Sequence, residues 1–115
     1  MTEQSPYQQM RHIGFAVNRI TTALGVDSEL QTAAGQKALE ILKRSIRASQ
    51  DSLKDYEMFQ LDEDTKMQAT TLPKAIKSVE KVRDSLLKAS EYDLVGAVDV
   101  AQIAGELDEL IARLG

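Results

Sequence analysis

His12 is the only side chain in this 115-residue sequence that changes charge near neutral pH without help from its surroundings. There is no cysteine, which excludes disulfides, thiolate metal sites and thiol nucleophiles. A serine nucleophile needs a base, and His12 is the sole histidine to supply one. The sequence contains no Gly-rich phosphate loop, no G-x-S-x-G elbow and no zinc-ligand spacing. A di-metal carboxylate bundle needs Glu-x-x-His pairs on inward faces, and a single histidine cannot provide them. The acidic run from Leu61 to Lys66 (LDEDTK) lacks the glycine of a calcium loop and a bidentate acid at the right distance. It reads as a solvated loop or helix end. These residues predict no metal, no cofactor and no enzymatic activity.

On a helical wheel His12 lies away from the neighbouring apolar stripe, so it is expected at the surface. A lone exposed histidine on a helical bundle is similar to the phospho-accepting histidine of phosphotransfer domains, in which Lys-Gly typically follows two residues on. Here Ile13, Gly14 and Phe15 follow. The lysine that would steady a phosphoryl group is absent, and Arg11 or Arg19 would have to replace its charge. A phosphotransfer role for His12 is therefore the alternative from a different functional class.

The residues around these groups are patterned for helices. Hydrophobic residues make up 43% of the chain and aromatic ones only 4%, so Ala, Leu, Ile and Val must fill the core. That suits closely packed helices better than a sheet, which favours β-branched and aromatic residues. No apolar run exceeds five residues, so neither a membrane-spanning helix nor a signal-peptide core is expected. Helix one is predicted over residues 6–24, with Ser5 as N-cap, Pro6 at the first position and Gly25 as the stop. Tyr7, Met10, Gly14, Val17, Thr21 and Leu24 keep a 3-4 spacing, widened by Ile13 and Ile20. Helix two is predicted over 28–59, opened by a Ser28/Gln31 capping box, with Gly35 as its weak point. Its apolar face, from Leu30 and Ala34 through Ile41 and Leu42 to Tyr56, is rich in small residues and includes Ser45, Ser49 and Ser52. Residues 60–71 read as a long connection, because the residue before Pro73 should avoid the helical region. Helix three follows over 73–90, with Leu72, Ala75, Ile76, Val79, Val82, Leu86, Leu87 and Ala89 as its stripe. Helix four spans 93–114, starting at Asp93 or, through an Asp99/Gln102 capping box, at Asp99. The expected fold is all-α: one domain forming a four-helix up-and-down bundle. Helix two is longer than helices one and four, so dimerisation is one way to cover its surplus apolar face.

Charge is blocked along the chain. The net charge of -4 divides into -1 over residues 1–36, +3 over 37–54, -5 over 55–64, +4 over 65–90 and -5 over 91–115. Two basic stripes, Lys43, Arg44, Arg47 and Lys54 on helix two and Lys74, Lys77, Lys81 and Lys88 on helix three, face away from the apolar sides. Phe15 sits opposite its own helix's stripe, near Arg11, His12, Asn18 and Arg19. Such a phenylalanine is either covered by another segment or used as an interface anchor. The reading is a non-enzymatic, cytoplasmic helical module that binds a protein partner or a second copy. Phe15, Arg11, Arg19, Arg44, Arg47, Lys77 and Lys81 are its candidate interface. Nucleic acid is a further alternative through the basic helix faces. The acidic blocks and the lack of base-stacking aromatics on those faces argue against it.

Overall fold

The computed structural model describes residues 4–24, 33–91 and 97–115, with side chains except those of 20–24 and 97–99. Four helices account for nearly all of these residues: α1 (Pro6–Leu24), α2 (Ala33–Leu61), α3 (Thr65–Ser90) and α4 (Ala97–Leu114). No strand occurs among the described residues. Each helix packs against its neighbours in chain order, α1 and α4 close the ring, and neither diagonal pair approaches. The α2–α3 pair is antiparallel: Gln68 at the start of α3 donates to Phe59 O at the end of α2, and Ser45 in the first half of α2 meets Ser85 late in α3. Arg83 near the end of α3 meets Asp108 in the second half of α4, and Arg113 at the end of α4 meets Gln9 near the start of α1. The chain is an all-α four-helix bundle.

The interior follows the predicted stripes except at Ala34 and Ile41 of α2, which are exposed, and at Leu87 of α3. Met10, Ile13 and Val17 of α1 are buried against Leu42, Ile46 and Leu53 of α2, Val79, Val82 and Leu86 of α3, and Val100, Ile103, Leu107, Leu110 and Leu114 of α4. Leu87 departs from its expected place. It is 46% exposed, because it falls one position beyond the Val79–Leu86 row and turns outward. Ile20, Thr21, Leu24, Leu30, Asp93 and the Ser28/Gln31 pair lie outside the described side chains. Gly35 is buried within α2, and the described helix runs through it without a break.

The start of α1 is capped more completely than Ser5 alone predicts. Ser5 Oγ accepts from the Gln8 amide at 3.2 Å, and Gln8 Oε1 accepts from the Ser5 amide at 3.2 Å. Two helix-end donors are thus satisfied reciprocally. Gly14, midway along α1, sits at the α1–α2 crossing. A Cβ there would lie 2.8 Å from Gln50 Nε2 and 3.1 Å from Ile46 Cγ2, so the two helices approach through the missing side chain.

The expected long connection over 60–71 is a correction. Helix α2 ends at Leu61, three residues turn the chain, and α3 begins at Thr65. The turn closes without glycine. Glu63 takes the left-handed conformation (φ 56°), the Glu63 amide donates to Gln60 O at 3.2 Å, and the Asp64 amide donates to Phe59 O at 3.0 Å. This is the hydrogen-bond pattern of a Schellman stop, with a glutamate where glycine is usual. Asp64 then caps α3, its carboxylate accepting from the Met67 amide at 3.1 Å. Pro73 lies inside α3 rather than at its start. An interior proline removes one helix hydrogen bond, here the one Ala69 would accept. Both Pro73 and Ala69 are exposed, so the freed carbonyl is open to water. Asp99 is likewise within α4, two residues after its described start.

The helices are unequal. At 1.5 Å per residue α2 and α3 run about 44 and 39 Å, whereas α1 and α4 run about 28 and 27 Å. The molecule measures 50 × 30 × 18 Å, its long axis set by the α2–α3 hairpin. Met58 and Leu61 near the hairpin's turn are 52% and 78% exposed.

Candidate functional site

Phe15 is the clearest surface anomaly. Its position on α1 is fixed by Ile13 and Val17, which point into the core and force it outward. It is 59% exposed, so no described segment covers it. The Arg11 guanidinium sits one turn earlier, 5.7 Å from the Phe15 ring centroid and 5.9 Å from that of Tyr7. A cation over an aromatic face holds both in place with a modest attraction at an exposed site. Beside Phe15 a groove of about 360 Å³ opens between α1 and α2. Its floor is Gly14, Val17 and Ile46; its walls are Asn18, Lys43, Arg47 and Gln50. The groove exists because glycine at position 14 lets α2 come close, leaving the Phe15 ring as its rim.

The predicted interface residues divide between two surfaces. Phe15, Arg11 and Arg47 gather at the α1–α2 groove, with Arg19 exposed one turn further along α1. Arg44 and Lys81 line a separate groove between α2 and α3, and Lys77 is exposed one turn before Lys81. The basic stripes are at the surface as expected, but they do not form one continuous patch. Gly14 and Gln50 belong to the Phe15 groove and were not singled out for it from sequence. The pairing of helix one with helix two, which brings Gln50 there, is a tertiary fact.

His12 is exposed, and among the described residues it has no hydrogen bond or ion pair. No described side chain is placed to activate it or to orient it as a base. The acidic run splits into a turn and a cap, with Asp64 committed to the α3 amides. Among the described residues no three His, Asp or Glu side chains gather to hold a metal ion, and no helix is long and apolar enough to cross a membrane. Arg83 donates to Asp108 at 2.8 Å and lies 3.8 Å from Asp84. The Asp108 hydrogen bond and the nearby carboxylates raise its pKa above an already high value, so its charge is constant. This pair ties α3 to α4 and touches neither groove. No protein-family model, no curated protein and no solved structure matches the chain, so these surfaces must be read on their own chemistry.

Proposed function

We propose that this protein is a non-enzymatic helical interaction module that binds a protein partner through its helix faces. The observation that carries the reading is Phe15: a large ring, more than half exposed, pinned by Arg11 at the rim of a groove walled by Lys43 and Arg47. Burying an aromatic ring in a complementary pocket is a common source of interface affinity, and flanking cations orient the approach. The setting that accords with a chain lacking cysteine is the cytoplasm. The partner at this groove is another protein or a second copy, and the two are separated by sedimentation mass across concentration.

The test is Phe15→Ala, with Arg47→Glu as a second variant at the same groove. Both positions are exposed, so thermal melts should match the parent. Sedimentation and a quantified pull-down should show an association of the parent that both variants weaken. A parent that stays monomeric and retains nothing the variants fail to retain would overturn the anchor. Treatment with acetyl phosphate covers the alternative. An acid-labile label lost in His12→Gln would replace this reading with phosphotransfer.

A further inference from the structure

The α2–α3 hairpin carries a second groove, on a different part of the molecule from Phe15. Two adjoining cavities of about 570 and 270 Å³ share Ile41 and Lys81 and form one seam. Its floor is the buried Ala38 and Ser45 of α2 and Ser85 of α3; the exposed Ala34, Ile41 and Ala48, each seven residues from the last, line its α2 side, and Ser78 lies seven residues before Ser85 on α3. The rims repeat it too: Lys37 and Arg44 on one side, Lys81 and Lys88 on the other. Four cations face the seam against one carboxylate, Asp84, and that carboxylate lies 3.8 Å from Arg83. Among the described residues none of the four cations has an ion pair or side-chain hydrogen bond.

We infer that this seam docks an acidic amphipathic helix from another protein. The seven-residue repeat sets the shape of the occupant. Seven residues of helix advance about 10.5 Å, and a partner helix crossing at a shallow angle keeps its own heptad in register with that spacing. An extended peptide, alternating every two residues, does not. Small floor residues make the holes that partner side chains fill, and the rim cations stand where a heptad helix carries its flanking charges. Charge decides the sign: acidic flanks are attracted, basic ones repelled.

A second copy fits the seam poorly. Seam against seam would set four cations on four. The acidic helix α4 has turned Val100, Ile103, Leu107, Leu110 and Leu114 into its own core, and its described side chains present no large apolar stripe outward. A nucleic acid would use the cations but not the apolar α2 side, and no aromatic side chain lines the seam for base stacking.

The experiment uses the full chain and a fluorescent synthetic peptide of about three heptads, with leucine and alanine at the core positions and glutamate at the flanks. A scrambled peptide of the same composition and a short DNA duplex are the comparisons. The heptad peptide should bind at low salt, at least about tenfold more tightly than the scrambled one, and Lys81→Glu/Lys88→Glu should cost about tenfold or more. Ala48→Arg should also weaken it, although it adds a cation, because its side chain takes up space in the seam. Phe15→Ala should leave it unchanged, so this proposal and the Phe15 reading fail separately. Should charge reversal disturb the melt, Lys81→Gln/Lys88→Gln gives the same direction with a smaller loss. Equal binding of the scrambled peptide would overturn the proposal, as would tighter binding by Ala48→Arg or preference for DNA. So would salt-sensitive self-association of the chain that charge reversal at Lys81 and Lys88 abolishes.

Discussion

The buried face of α4 and the interface between α2 and α3 solve the same problem with different residues. On α4 the inward positions are Val100, Ile103, Leu107, Leu110 and Leu114, all large aliphatics. On α2 and α3 small residues (Gly35, Ala38, Ser45, Ser49, Ala75, Ser85 and Ala89) are buried among the large Leu42, Ile46, Leu53, Val79, Val82 and Leu86. The first face fills volume and removes apolar area from water, which is the main favourable term in folding. The small residues of the second fill little and leave room for two backbones to approach. Their hydroxyls need partners, and two of the three find them: Ser45 Oγ donates to Ile41 O at 2.8 Å and lies 3.2 Å from Ser85 Oγ across the two helices. The bulky face therefore holds the bundle together, and the small-residue interface shapes its surface. The same economy of side chains that brings α2 and α3 close leaves a shallow seam on their outer side.

Substitutions that reverse these roles break the comparison most sharply. Leu107→Ala removes a side chain that is fully buried on α4, and stability measured by urea titration should fall by about 2–5 kcal/mol. A loss under about 1 kcal/mol would mean that α4 is not held by this face. Gly14→Leu tests close approach at the α1–α2 crossing, where even a Cβ meets Gln50 and Ile46. Overpacking there should cost about 1–3 kcal/mol, read from the same titration. Gly105 on α4 is the counterpart, since a Cβ there meets nothing within 4 Å. Gly105→Ala should raise the stability by up to about 1 kcal/mol, the helix-propensity gain alone, and a lowered melting temperature would show that something does approach it. The smallest effect belongs to Ser49, which is fully buried with an Oγ that has no hydrogen-bond partner among the described residues. Ser49→Ala relieves an unsatisfied hydroxyl and should be neutral or stabilising by less than about 1 kcal/mol. A clear destabilisation would show that the hydroxyl has a partner.

Much of this architecture was legible in the amino-acid order. The 3-4 spacing of Met10, Ile13 and Val17 and of Val100, Ile103, Leu107 and Leu110 specifies which side of each helix turns inward, because helical periodicity is local. Ser5 and Pro6 mark the start of α1 for the same reason. The hairpin turn was not legible. Its stop uses Glu63 in the left-handed region rather than glycine, and its next helix runs through Pro73, so both punctuation rules pointed to a longer loop. Tertiary packing outweighs such local preferences when a continuous stripe such as Leu72, Ala75, Ile76 and Val79 is to be covered.

For the surfaces, sequence alone determined that Phe15 and the basic stripes would face outward, since an outward position follows from the inward ones on the same helix. Only the folded chain decided what they face. Arg47 joined Phe15 because α1 crosses α2 at Gly14, while Arg44, three residues earlier, was turned to the α2–α3 seam beside Lys81. Which residues share a groove depends on helix pairing and crossing, and those are set by the packing of distant side chains, not by spacing along any one helix.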